Sequence, residues 1–403
     1  MELLFLNHNV VWRSAFHRCF HLGKPLAARG HRVTILTNSA RDRARWKENV
    51  IEGVRVVESP DLLAGPLRTG WDPVNVLRRN RWVEREYGER AREDFLVHAF
   101  DTRPTVAHPA LRLKDRLGCP LVMDWGDWWG RGGAIRLRKP QWLNMAFEPV
   151  ETWYEEHFKP YADRLTCVSR PLEERAVGLG YPREKITVIP NPSDPVALRL
   201  LDRRECRNTL GLAPRAFYAV FSGFVLYDLD LVLEAMRALA EEVGPRARED
   251  LGLILTGARH GLDPARFPFH VIAPGTVSRE DLNRWLCAAN VALMPLRDHV
   301  ANRARFPGKV GDYLAAGLPV VMNRVGDVAR ILDEQGLGLF CEGDAVALGR
   351  RLLELRNDPQ RAEEMGRRGR LFAETRFNWE REASRLLAVY DELLKEADAA
   401  RRP

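Results

Sequence analysis

At 403 residues the chain exceeds what one ordinary hydrophobic core holds, and implies two domains. Its composition, 45% hydrophobic and 29% charged with no low-complexity tract, is that of a soluble globular chain. No apolar run approaches the ~20 residues that span a bilayer. The net charge of +7 admits nucleic acid, an anionic membrane surface or phosphorylated substrates as partners. The basic residues are mostly arginines scattered along the chain, and no RNP, zinc-finger or homeodomain pattern is present, which argues against nucleic acid. Two basic clusters, Arg78-Arg79-Asn80-Arg81-Trp82 and Arg131 to Trp142, read equally well as solvated faces or as functional patches. The six cysteines show no ligand spacing, so reduced, mostly buried thiols are expected, without structural zinc or disulfides. The first residues, MELLFLNHNVVWRS, lack a leading positive charge, and Asn7, His8 and Asn9 interrupt their apolar run. They read as a first strand rather than a signal peptide, which predicts a cytoplasmic protein.

In chain order, short apolar runs alternate with longer amphipathic stretches, the pattern of a parallel α/β sheet. Leu3–Leu6 and Val33–Thr37 read as strands around a helix over Phe16–Ala28, which Gly30 stops. Strands are then predicted at Val54–Glu58, Thr105–Ala107, Leu121–Met123, Arg164–Val168 and Ile186–Pro190, the last closed by the turn Asn191-Pro192-Ser193-Asp194. A second set follows: strands at Tyr218–Ser222, Leu251–Thr256, Val271–Ile272, Val291–Pro295 and Pro319–Met322, with helices at Leu229–Val243, Arg279–Ala289 and Lys309–Ala316. Trp379–Ala400 is an amphipathic helix with Ala383, Leu386, Leu387, Tyr390, Leu393 and Leu394 at helical spacing. Two successive doubly wound sheets account for this order. Ligands of such sheets bind beyond the carboxyl ends of the strands, in a cleft where two sheets face each other.

No GxGxxG follows a strand; Gly130-Arg131-Gly132-Gly133 comes nearest. GxxxxGK followed by Ser or Thr, GxSxG and HExxH are also missing, which disfavours nicotinamide, P-loop, serine-hydrolase and zinc-protease chemistry. What remains is the stretch Phe306 to Val321, FPGKVGDYLAAGLPVV, after the charged loop Arg297–Arg305. Pro307 and Gly308 suit a turn into a helix whose first N–H groups and dipole favour an anion. Lys309 adds a full positive charge for a diphosphate, and Asp312, one turn on, can accept hydrogen bonds from ribose hydroxyls.

This stretch resembles the donor-binding region of GT-B glycosyltransferases, close to family 4, many of which read P-x-K-x-x-D/E-Y-L/M-A-x-G-x-P-V-V. The likeness runs nearly the whole length: Leu26 to Thr37, Val188-Ile-Pro-Asn191-Pro-Ser-Asp194, Phe221-Ser-Gly223, Leu253-Ile-Leu-Thr-Gly257 and Phe377-Asn-Trp379 are each similar to a family passage, in the family's order. The resemblance implies two Rossmann-like domains facing a central cleft: an acceptor domain over 1–195, a nucleotide-sugar domain over 196–376, and a helix over 377–403 crossing back to the first. It implies transfer of a sugar from a nucleoside-diphosphate sugar, UDP or GDP, to a hydroxyl, with retention at the anomeric carbon and with neither metal nor cofactor. Lys309, Gly308 and Gly223 would hold the diphosphate and Asp312 the ribose. His108, placed at the end of the strand Thr105–Ala107, matches a family histidine that reaches the sugar or acceptor. The chain also departs from the family. Of the E-x7-E pair, Asp312 matches the second position and Ala304 occupies the first. Phe224 and Tyr227 stand where the family carries Arg and Lys, leaving Arg259 and Arg303 or Arg305 as substitutes.

In the first half, Asp124-Trp125-Gly126-Asp127-Trp128-Trp129 follows a strand and should face the cleft. Its carboxylates, Asp124 and Asp127, are candidates to orient an acceptor hydroxyl, and its tryptophans offer flat faces to a sugar or lipid. Asn7, His8 and Arg13 belong to the same end of the sheet. With the basic stretch Arg131–Trp142 nearby, the acceptor is expected to be a glycan, a lipid-linked molecule or a small molecule, met peripherally at the anionic inner face of the membrane. Two other readings share the architecture: a nucleotide-sugar 2-epimerase, whose set of acid and base residues is not found in the second half, and a non-catalytic partner protein.

Overall fold

The computed structural model describes residues 1–63, 69–88, 94–138, 140–223, 228–257 and 261–401. The chain forms two units. The first comprises Met1–Pro190, Ala304–Phe306 and the segment from Trp379 onward; the second comprises Asn191–Arg303 and Pro307–Asn378.

Among the described residues, the first unit is built on an eight-stranded sheet of β1 (Glu2–Val10), β2 (Arg32–Asn38), β3 (Lys47–Ile51), β4 (Val54–Ser59), β5 (Phe95–Phe100), β6 (Leu121–Trp125), β7 (Arg164–Cys167) and β8 (Ile186–Val188). The strand order is β3-β4-β2-β1-β5-β6-β7-β8, and every pair except β3–β4 is parallel. Helices α1 (Ala15–Ala28), α2 (Pro73–Tyr87), α3 (Pro104–Leu117), α4 (Gln141–His157) and α5 (Arg170–Gly178) connect the strands. A parallel strand covered on both faces needs a continuous apolar run rather than alternation. Phe95-Leu-Val-His-Ala-Phe is such a run, and it forms β5, a central strand absent from the sequence-based expectation.

Thr105–Ala107, expected as a strand, instead lies in the first turn of α3. Its β-branched residues between two prolines look extended, but Pro104 takes the opening helical position, where a missing N–H costs nothing. His108 is therefore a helical residue, not one at a strand end.

The second unit carries a six-stranded, all-parallel sheet of β9 (Phe217–Gly223), β10 (Leu251–Gly257), β11 (His270–Gly275), β12 (Val291–Leu293), β13 (Val320–Asn323) and β14 (Gly338–Cys341), ordered β11-β10-β9-β12-β13-β14 among the described residues. The closing helix Trp379–Arg401 belongs to the first unit. Its Ala383, Leu386, Tyr390 and Leu393 are buried in one core with Leu3, Phe5, Phe16 and Phe20.

Two polar networks run through the first unit. In one, the Arg18 guanidinium of α1 donates to both carboxylate oxygens of Asp124, at 2.9 and 2.8 Å, and to the Pro190 carbonyl. Thr166 of β7 also donates to Asp124, and its hydroxyl meets His98 Nε2; His98 Nδ1 meets the Tyr390 hydroxyl at 2.6 Å. Burial drives the His98 pKa down to about 3, so the ring is neutral and bridges two hydroxyls. In the other, Arg79 is 0% exposed and donates to Ser59 Oγ, Asn38 Oδ1 and the carbonyls of Asn7 and Thr105. Asn38 in turn donates to the buried Asp61. One member of the basic cluster Arg78–Trp82 is thus a core residue, and its burial lowers its pKa to about 9.

Replacing Asp124 with Ala leaves the Arg18 charge buried beside a lost partner. A loss of about 3–5 kcal/mol is expected, read from the urea denaturation midpoint; an unchanged midpoint would show that the pair does not support the fold.

Candidate functional site

In the second unit, β9 and β10 end side by side at Gly223 and Gly257, which are register partners. Gly257 has φ +112°, and a Cβ there would lie 2.2 Å from the Gly223 carbonyl oxygen, so only glycine fits. Small hydroxyl residues surround the pair. Thr256 Oγ1 donates to Ser222 Oγ at 2.7 Å, the Ser222 N–H donates to the Tyr313 hydroxyl at 2.9 Å, and Thr276 Oγ1 donates to the Gly257 carbonyl. Burial raises the Tyr313 pKa, which keeps that hydroxyl protonated. Among the described residues, the two strand ends present backbone and small hydroxyls.

The helix Lys309–Ala315 supplies charge. The Lys309 ammonium stands 3.9 Å from the ring centroid of Phe221, two residues before the end of β9. Asp312 is half-buried, and burial raises its pKa to about 6, opposed by Arg279 and reinforced by Asp194. Two of the amides expected to serve an anion are spent inside the opening turn: the N–H groups of Val310 and Gly311 donate to the carbonyls of Pro307 and Gly308. With so short a helix, the Lys309 side chain rather than the dipole is the main anion-attracting element. Gly308 has φ −59°, open to any residue, and a Cβ on it would meet nothing within 4 Å. The turn does not require that glycine. Gly311 differs, because its Cβ would lie 2.5 Å from the Pro192 carbonyl oxygen, while Ser193 Oγ donates to the Gly311 carbonyl. Arg259, Phe224 and Tyr227 lie outside the described residues.

In the first unit, the carboxyl ends of β1, β5 and β6 gather His8, Asn9, Asp101, Arg103 and Asp127. Asp124 has both oxygens bound inside the fold, so its side chain holds the base of β6's terminal loop rather than reaching out to a hydroxyl. The loop beyond is pinned from α4. Glu155 accepts from the Trp125 indole N–H and from the backbone N–H groups of Trp129 and Gly130; Glu148 accepts from the Gly132 N–H and from Arg136. The tryptophan faces are not bare. Lys159 lies 4.1 Å above Trp125, Arg175 4.0 Å above Trp128, and Arg103 and Arg138 each 4.8 Å from the Trp129 centroid. Cations thus cover faces expected to be available to a sugar.

Asp127 is half-buried and makes no hydrogen bond among the described residues. Burial raises its pKa to about 6; Arg305 opposes that rise, while Asp101 and Glu155 add to it. Arg305, expected beside a diphosphate, belongs to the first unit and acts on Asp127. Ala304, at the vacant acidic position, is fully buried, and its carbonyl accepts from Ser169 Oγ.

Asp101, with φ +84°, lies 3.3 Å from His8 Nδ1, and Arg103 donates through Nε to Glu151 and through Nη1 to the Thr69 carbonyl. Arg103 is buried and its Nη2 has no hydrogen-bond partner among the described residues. Burial and Arg103 hold His8 neutral, its pKa near 3. Asp101, Arg103 and Glu151 were missed from sequence, although Asp101 and Arg103 directly follow the apolar run of β5. Asn7 is internal, donating to Thr37 Oγ1. His108 sits on α3 against α4, with Nε2 3.2 Å from the Tyr154 hydroxyl and Phe158 edge-on.

Comparison with known proteins identifies the class. Residues 17–192 match the family model described as a glycosyl transferase 4-like domain, and 218–358 match glycosyl transferases group 1. The chain is 26% identical to a D-inositol 3-phosphate glycosyltransferase of Xylanimonas cellulosilytica, over 94% of this chain and 91% of that protein. Among solved structures, sucrose-phosphate synthase from Thermosynechococcus elongatus matches with a TM-score of 0.74 at 18% identity, covering 98% of this chain and 99% of that one. Anabaena HepE in complex with UDP matches with a TM-score of 0.66 at 18% identity, covering 97% and 100%. The chain belongs to the GT-B glycosyltransferases, its two parallel-sheet units in the order of the two family domains.

The two glycines of the 306–321 stretch have separable roles. Gly311→Ala should cost about 1–3 kcal/mol through the clash with Pro192, whereas Gly308→Ala should shift stability by less than about 1 kcal/mol. Thermal unfolding of both variants checks this, and equal losses would contradict it.

Proposed function

We propose that the enzyme moves a sugar from a nucleoside-diphosphate sugar, with UDP or GDP as the carrier, to an acceptor hydroxyl on a glycan, a lipid-linked molecule or a small molecule. The observation that carries the donor assignment is the Lys309 ammonium near the end of β9, where the strands close on the paired glycines Gly223 and Gly257. As the bond from the anomeric carbon to the diphosphate breaks, negative charge grows on the leaving phosphate. A fixed ammonium nearby stabilises that charge in the transition state. Asp312 then accepts from the ribose hydroxyls. HepE, solved with UDP, supports UDP as the carrier.

Asp127 is the acceptor-orienting residue of this reading: it is the half-buried carboxylate of the β6 loop that is not consumed by hydrogen bonds. Asp124 and His108 act at most through the fold. Retention at the anomeric carbon and independence from a metal follow from the resemblance to family 4, and the Lys309 charge supports the second. Among the described residues, no helix is long and apolar enough to cross a membrane, and peripheral work at the cytoplasmic face of an anionic membrane completes the reading.

Lys309→Ala should weaken UDP binding by roughly tenfold to a hundredfold, the worth of about 1.5–3 kcal/mol for a hydrogen bond to a charged group. Calorimetry on the folded variant measures it, and unchanged affinity would refute the diphosphate assignment.

The two raised carboxyls give a paired pH test. Asp312 binds ribose hydroxyls in its ionised form, so UDP affinity should fall as pH drops through about 6, and Asp312→Asn should flatten that dependence. Turnover should lose activity over the same range through Asp127, with the limb removed in Asp127→Asn while UDP affinity persists. If each substitution altered both profiles equally, the separate roles would be wrong.

A further inference from the structure

Helix α4 is amphipathic the wrong way round for a helix of a water-soluble domain. Asn144, Glu148, Glu151 and Glu155 are buried, while Trp142, Met145, Val150 and Trp153 are exposed, at 72%, 58%, 42% and 50%. At about 100° per residue, the two sets lie roughly half a turn apart. The inward glutamates have partners inside the fold: Glu148 and Glu155 hold the amides of the β6 loop, and Glu151 pairs with Arg103 through one oxygen. The fold accounts for that face. It does not account for the outward one.

Charge selects what covers it. Within the described part of 131–161, the exposed charged residues are Arg131 and Arg136. The carboxylates they pair with, Glu156 and Glu148, are only 15% and 11% exposed, against 65% and 55% for the two arginines. Exposed cations therefore flank an apolar, tryptophan-bearing stripe, Arg136 beside its middle through Glu148 and Arg131 near its carboxyl end through Glu156, and among the described residues the stripe shows no exposed carboxylate. Just beyond the helix, Tyr161 is also exposed. Trp and Tyr with flanking Arg suit the zone between lipid headgroups and acyl chains. Two copies docked symmetrically through this face would instead set the same arginines against one another.

We infer that the outward face of α4 is the docking surface for an anionic lipid bilayer, its tryptophans entering the headgroup zone and Arg131 and Arg136 meeting lipid phosphates. This rests on the peripheral-membrane part of the proposed function and gives it a location.

The test uses the full chain and phosphatidylcholine vesicles with and without phosphatidylglycerol. Sedimentation should bring down the protein with the anionic vesicles and much less with the neutral ones, and added salt should release it. A polarity-sensitive dye attached through Val150→Cys, the six native cysteines all being buried, should shift to the blue on binding. The double variant Trp142→Gln/Val150→Glu, altered only at exposed positions, should lose partitioning by on the order of tenfold or more while keeping its thermal midpoint and its stabilisation by UDP. Three results would overturn the inference: no dependence on phosphatidylglycerol, a double variant that binds like the parent, or a parent that self-associates through this face without binding vesicles. Loss of UDP stabilisation in the parent would sink the donor assignment alone.

Discussion

The bidentate pair between Arg18 and Asp124 is the constraint on which the first unit turns. A carboxylate at the end of a central parallel strand, cut off from water, persists only if its charge is matched and its lone pairs are used. Arg18 supplies the charge and two donors, and Thr166 a third. Through the neutral His98 the same chain of contacts reaches Tyr390, so one network fixes α1, three strands and the closing helix together. The loop leaving β6 starts from this anchored point, and α4 holds its far side through Glu148 and Glu155. Asp127 can therefore occupy one position with a raised pKa because the backbone on either side of it is tied down.

The second unit meets the opposite demand. Its strand ends must accept a ligand rather than hold themselves together, and they do so by subtraction: paired glycines, small hydroxyls, and a lysine brought in from a separate helix. That helix is positioned by close packing at Gly311, against Pro192, while Gly308 one turn earlier is left open. Two glycines three residues apart thus serve packing and access respectively. Side-chain charge does what a longer helix dipole would do elsewhere.

Much of this was legible in sequence. The alternation of apolar runs and amphipathic stretches, the buried stripe of the closing helix, and the placing of Lys309 and Asp312 early on a helix after a strand all follow from period and turn chemistry. What escaped shares a cause. Glu148, Glu151 and Glu155 face inward, Arg79 is fully enclosed, and the Trp129 ring lies between two guanidinium groups. Local pattern places charged residues in water, and tertiary hydrogen bonds draw these inside; it leaves the loop tryptophans with open faces, and arginines from elsewhere in the chain lie against them. Thr105–Ala107 misled differently, since a proline at the first helical position and another inside the helix make three residues look like a short strand. The expected strand places His108 at its end, whereas the histidine is a residue of α3.

The contact between His98 and Tyr390 spans 292 positions of the chain. A polypeptide leaving the ribosome has made every strand of the first unit long before Tyr390 exists, and the second unit is complete by then as well. Until the last helix emerges, Phe5, Phe16 and Phe20 lack one wall of their core, and His98 lacks one of its two hydroxyl partners. The domain made first is thus finished last. Synthesis leaves a long interval in which its apolar face needs a chaperone or the nascent chain's own collapse to shield it.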